Sequence, residues 1–180
     1  MKRLAFLPAA LLLGSCATLS EEACRAGNWQ AIGFRDGAAG RPESWVANHA
    51  EACAETGVTP DLALWRAGRA EGLRAYCTPQ NAYEAGLDGG RLNPVCPAAD
   101  APRLARAEAE GRCVHEARRE IDRLDYENAG DEARIDKLLK GDIGKEDRRR
   151  IRKLRRAIDD RNQEIRWLER DARRGYAPYF

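Results

Sequence analysis

The side chains with the widest chemical range in this 180-residue chain are six cysteines and two histidines. His49 and Cys53 are four apart, the spacing that puts two side chains on one helix face, and Cys113 and His115 are near neighbours. Metal ligation and a thiolate nucleophile with an imidazole base both use such residues. Structural zinc favours cysteines paired two to four residues apart, and the chain has no such pair, so no metal site is expected. His49 is expected at the surface beside Cys53. A third chemistry, anion binding, is offered by Arg148, Arg149, Arg152, Lys153, Arg155 and Arg156, whose positive face suits lipid phosphate, lipopolysaccharide or peptidoglycan carboxylates. The plainer reading of that stretch is a solvated helix face paired with Glu132 and Asp136, and with Asp159 and Asp160 downstream. Exposed pairs of that kind are worth under ~1 kcal/mol each. Among 29 acidic residues nothing singles out a carboxylate pair for glycan hydrolysis, so no catalytic residue is assigned and no enzyme is expected.

The beginning of the chain sets the compartment in which those thiols are read. Lys2 and Arg3 precede an apolar stretch from Leu4 to Leu13, which ends in Leu13-Gly14-Ser15-Cys16. A membrane-spanning helix needs ~20 apolar residues, so this stretch is too short to span and reads as a signal peptide over 1–15. The tetrapeptide resembles the lipobox of bacterial lipoproteins: a branched apolar residue, two small residues, and a thiol that accepts diacylglycerol. That resemblance makes Cys16 the lipidated first residue of the mature protein, carrying palmitate-type acyl chains and no other cofactor. Each buried methylene is worth ~0.8 kcal/mol, so two or three chains anchor a protein in effect permanently. Ala17 rather than Asp at the second mature position implies, by the same resemblance, the outer membrane facing the periplasm. No later apolar run is long enough to span. Charge is nearly balanced, at +2 overall, which with the export signal argues against nucleic acid as a partner.

Export makes the remaining cysteines a disulfide framework. Cys24, Cys53, Cys77, Cys96 and Cys113 are an odd set. The expected pairs are Cys24–Cys53 and Cys77–Cys96, each worth ~3–4 kcal/mol on the chain-entropy model, with Cys113 free or paired between chains. Around them runs a weak internal repeat: Trp29…Gly33-x₃-Gly37, Trp65-x₂-Gly68-x₃-Gly72, Tyr83-x₂-Gly86-x₃-Gly90 and Leu104-x₂-Ala107-x₃-Gly111, each preceded by a cysteine. Small residues four apart make a flat strip that lets a second backbone approach closely. Gly37, Gly40 and Gly89-Gly90 also suit left-handed helix caps, and a ligand cradle formed by the glycines is a further, unspecific alternative. Thr59-Pro60 and Thr78-Pro79 read as helix starts, with Thr as N-cap and Pro at the first helical position. Residues 16–101 are therefore expected to form a compact cluster of short helices, near 42–55, 60–75 and 79–88, pinned by disulfides.

From Arg103 to Arg174 the chain reads as helix with one break, at Gly141-Asp142-Ile143-Gly144. Ile121, Leu124, Ile135 and Leu138 keep heptad register if Asn128 and Asp131 fill skipped seam positions. Ile151, Leu154, Ile158, Ile165 and Leu168 do the same, with Arg161 in the gap. Residues 102–175 should then form an antiparallel coiled-coil hairpin whose second arm is ~45 Å long, followed by a tail over 176–180. The fold class is all-α.

Cys24-Arg25-Ala26-Gly27-Asn28-Trp29, Gly33-x₂-Asp36-Gly37-x₂-Gly40, His49-x₃-Cys53, Thr59-Pro60-Asp61 and Tyr76-Cys77-Thr78-Pro79-Gln80-Asn81 together resemble a family of bacterial lipoproteins known as domain of unknown function 2799. Gly86, Val95-Cys96-Pro97 and the charged helical tail extend the resemblance over nearly all of the mature chain. It implies no catalytic residues, and it leaves Cys113 as the odd thiol. The function expected is that of a lipid-anchored, non-catalytic envelope protein, held to the membrane by its lipid. The hairpin would contact an envelope protein or a second copy of the chain.

Overall fold

The computed structural model describes residues 18–176; the leader, Cys16 and positions 177–180 lie outside them. Seven α-helices follow one another, and no strand occurs among the described residues. Helices α1 (Glu21–Ala26) and α2 (Trp29–Ala38) start where Ser20 and Asn28 accept backbone N–H groups that have no partner within the helix. A short helix α3 (Val46–Ala52) stands between two 3₁₀ turns, Glu43–Trp45 and Ala54–Thr56, in the stretch expected to be one helix over 42–55. Helix α4 (Leu62–Tyr76) is capped by Asp61, not by Thr59, because the Asp61 carboxylate takes both the Ala63 and the Leu64 N–H. Thr78-Pro79 behaves as expected and opens α5 (Pro79–Leu87).

The glycines decide how these helices meet. A Cβ on Gly33 would run into the carbonyl oxygen of Trp65, and one on Gly37 into that of Arg69. Reciprocally, Gly68 faces the Gln30 carbonyl and Gly72 the Phe34 carbonyl. Helices α2 and α4 therefore cross with backbone against backbone, each small-residue strip filled by the other helix. That geometry permits Cα–H···O contacts and leaves no room for a side chain or a ligand. The glycine cradle is thus occupied by the protein itself. Gly37 belongs to this crossing and is not a left-handed cap; Gly40 and Gly89 do have left-handed φ, 64° and 77°.

The same device recurs once. Gly86 of α5 faces the Glu108 carbonyl, and Gly111 faces that of Tyr83. Both Glu108 and Gly111 belong to α6 (Ala101–Leu139), a 39-residue helix. Ala107 replaces a glycine on its strip and is fully buried, while Gly90 lies outside the crossing, near its own Ala85 carbonyl. The four-unit repeat is therefore two helix pairs, first with second and third with fourth. Each pair has its own core: Cys24, Trp29, Ile32, Cys53 and Trp65 in one, Cys77, Ala82, Tyr83, Leu104 and Ala107 in the other.

Past His115, α6 leaves the cluster and continues along α7 (Lys145–Tyr176), 32 residues or ~48 Å long. Val114, Arg118 and Ile121 line one depression with Glu169, Ala172 and Arg173, Asn128 bonds to Asn162, and Leu138 lines a groove with Leu154. Positions rise along one helix as they fall along the other, so the arms are antiparallel. The break falls at 140–144, as the glycines predict.

Candidate functional site

The buried ionisable groups of the helical cluster form one network. Asp36 on α2 accepts, on one carboxylate oxygen, the indole N–H of Trp65 from α4 at 2.8 Å, and His49 Nε2 from α3 stands 2.8 Å from the same oxygen. His49 Nδ1 lies 2.8 Å from the Thr18 hydroxyl, which donates to the Asn48 carbonyl oxygen at 3.1 Å. His49 is thus buried, with 2% exposure, and is not the surface residue expected beside Cys53. Hydroxyl, imidazole and carboxylate stand in the order of a nucleophile relay. Here the hydroxyl is held by a backbone carbonyl, the ring is closed off from water, and the carboxylate is shared with an indole. What the arrangement does is tie three helices to one oxygen atom and, through His49, the segment ahead of α1 to the same network. A buried polar group without a partner costs about 1–3 kcal/mol, so each member requires the others.

The cysteines are divided in the same economical way. Cys24 is bonded to Cys53 and Cys77 to Cys96, with Cα–Cα separations of 5.6 Å in both, and Cys113 is free and exposed on α6. Cys53 is therefore no metal ligand for His49. Cys113 and His115 are two apart on one helix and point to different faces. His115 instead sets its Nδ1 3.0 Å from the Leu87 carbonyl and packs its ring over Gly89. No group of three or more His, Cys, Asp or Glu side chains suited to a metal ion occurs among the described residues. Cys16, the lipidation candidate, lies outside them.

In the hairpin, the seam positions skipped by apolar residues are filled by a polar layer. Arg161 donates to Asn128 at 2.7 Å and to the carboxylate of Asp131, Asn128 donates to Asn162 at 2.9 Å, and Arg134 donates to Asp131 at 2.8 Å. The hydrogen bond from Arg161 holds the Asp131 carboxyl below the usual range. Burial pushes the other way, and the charges of Arg161 and Arg134 add to the lowering. The basic stretch behaves differently from expectation. Of Arg148, Arg149, Arg150, Arg152, Lys153, Arg155 and Arg156, only Arg150 forms an ion pair among the described residues, with Glu146 on its own helix at 2.8 Å. Glu132, Asp136, Asp159 and Asp160 form no ion pair with any of them among the described residues, although Arg155 borders one depression with Glu132, Asp136 and Asp159.

A family model described as Protein of unknown function (DUF2799) matches residues 28–113. The chain carries a DUF2799 domain. The match opens on Asn28, which caps α2, and closes on Cys113, just past the glycine of the second crossing. The DUF2799 domain is therefore the pair of glycine crossings, with Asp36, His49, Trp65 and both disulfides but for Cys24 inside it. The free arms of the hairpin lie beyond it. No curated protein and no solved structure matches the chain.

Sequence reasoning placed Asp36 and His49 of the DUF2799 domain in separate motifs and did not join them. Thirteen residues separate the two, so no helical or strand period connects them. The available signal was composition: a lone histidine beside a cysteine that must be oxidised has its other face free for a carboxylate. Thr18 lies outside the matched region altogether.

Proposed function

We propose that the protein is a lipid-anchored, non-catalytic protein of the cell envelope, whose DUF2799 domain sits on the bilayer and whose hairpin reaches away to meet a protein partner. Cys16 and the preceding Leu13-Gly14-Ser15 support the anchor. The observation that carries the reading is Thr18. Its hydroxyl is bonded into the Asn48–His49–Asp36 network, and it lies two residues from Cys16. Two residues span at most ~7 Å, so a lipid on Cys16 holds the DUF2799 domain against the headgroups with no tether between. Mutual use of Asp36, His49 and Trp65 supports a structural role for the buried polar groups. The test is photo-crosslinking in intact cells from a reactive residue at Trp167, 56% exposed on α7, beside one at Phe34 on α2. A discrete protein adduct from position 167 and none from position 34 is expected. Adducts absent from both, with a monomer in the ultracentrifuge, would sink the partner.

The unpaired cations of α7 favour a second reading, in which Arg148–Arg156 binds an anionic component of the envelope. Seven basic side chains within nine residues meet a single acidic partner among the described residues, which leaves the others open to solvent or to an external anion.

A further inference from the structure

The hairpin is not uniformly charged around its axis. On one side, a depression between the arms is lined by Glu132, Asp136 and Asp159 with Arg155, and it carries a negative excess. On another side, near the turn, a groove of about 520 Å³ runs between α6 and α7. Its floor is apolar: Leu138, Leu154 and Ala157, all half-buried. Its rim is Arg134, Lys137, Arg150 and Lys153, and no acidic residue lines it. Lys137 and Lys153 make no ion pair among the described residues, while Arg134 and Arg150 each hold one carboxylate outside the groove. Arg150, Lys153 and Ala157 also border a surface of α7 where Lys145, Arg149, Arg152 and Arg156 outnumber Glu146 and Asp160, so a basic excess continues from the groove onto α7.

We propose that this groove docks an anionic membrane lipid, with an acyl chain on Leu138, Leu154 and Ala157 and the phosphate between Lys137 and Lys153. The inference rests on the second reading above and narrows it. A free phosphate or a peptidoglycan carboxylate satisfies the cations but leaves the apolar floor wet. An amphiphile satisfies both, since its methylenes leave water on the apolar floor while its phosphate meets the surface cations. A zwitterionic lipid meets the floor without the charge. Charge complementarity at the rim therefore selects among lipids, and the floor selects lipids over other anions.

Four of the chain's five lysines, Lys137, Lys140, Lys145 and Lys153, provide the test, since two border the groove and two do not. Full-length protein in phosphatidylcholine vesicles is treated with an amine-acylating reagent, and each lysine is followed by mass spectrometry. Phosphatidylglycerol is then introduced, in the host vesicles or in a second added population; inorganic phosphate replaces it in a parallel arm. At ten times the dissociation constant, phosphatidylglycerol should slow acylation of Lys137 and Lys153 roughly tenfold and that of Lys140 and Lys145 less than about twofold. Inorganic phosphate should leave all four unchanged. Ala157→Asp, which sets a carboxylate on the floor at a partly exposed helix position, should lose the protection with helicity intact by circular dichroism. Equal protection by inorganic phosphate would overturn the lipid groove while leaving the anion-binding reading. Uniform protection of all four lysines would also overturn the groove, as adsorption of the whole tip. Unchanged rates in every arm would overturn the groove and the second reading together.

Discussion

The two halves of this molecule bring helices together by opposite means. In the DUF2799 domain, α2 meets α4 and α5 meets α6 through glycines, with carbonyl oxygens of one helix where the Cβ atoms of the other would be. In the hairpin, α6 meets α7 through side chains, and the middle of the seam is a charged layer around Arg161 and Asp131. The first solution tolerates no added atom and is backed by disulfides. The second tolerates wide variation on its surface and depends on complete pairing in one layer. Helix α6 takes part in both, so one helix carries the contrast along its length.

The contrast is broken most strongly at the disulfides. Cys77→Ser with Cys96→Ser should cost about 3–4 kcal/mol on the chain-entropy model, as should the pair Cys24→Ser with Cys53→Ser. Thermal unfolding followed by circular dichroism measures both, and non-reducing peptide mapping of the parent protein should return only those two bridges. Next come the crossings. Gly68→Ala forces its Cβ onto the Gln30 carbonyl, and Gly111→Ala forces its own onto that of Tyr83; each should cost about 3 kcal/mol, since backbone cannot yield as a side chain does. Helix propensity returns at most ~1 kcal/mol of that.

The hairpin should respond to charge and not to volume. Arg161→Ala leaves Asn128 Oδ1 without its donor and Asp131 with Arg134 alone in a mostly buried layer, and should cost about 2–3 kcal/mol, seen as faster amide exchange in α7. Changing Asn128, Asp131 and Arg161 together to Leu should restore or raise stability while loosening the register that the polar layer imposes. Asp131 also gives a pH signature. Its carboxyl is held below the usual range in the folded hairpin, so its contribution is complete above the ordinary carboxylate pKa. That contribution is lost as pH falls through the lower, folded-state value. Hairpin stability should therefore fall in acid below the ordinary carboxylate range, and Asp131→Asn should flatten that fall.

Much of this architecture was legible in the residues. Periodicity located both arms and their break, and even the polar seam, because Asn128, Asp131 and Arg161 occupy positions that the apolar series skips. The repeat was legible as spacing, but which unit pairs with which was not. Small residues four apart specify close approach without naming the partner. His49 misled for a related reason: its carboxylate lies thirteen residues away, on a helix whose exposed Phe34 and Arg35 conceal a buried face. The cations of α7 misled in the other direction. Acids on the facing arm and just downstream suggested ion pairs that do not form among the described residues.

The most direct test sets two glycines of α6 side by side. Gly111 lies in the crossing with α5, whereas a Cβ on Gly130 would meet nothing within 4 Å. Gly130→Ala should stabilise by about 0.5–1 kcal/mol, the ordinary gain for a helix interior, while Gly111→Ala destabilises several times as much. Melting temperatures that move in opposite directions are the predicted result. Both variants rising together would contradict the account, because Gly111 would then be a helix residue like any other and the backbone contact would hold nothing.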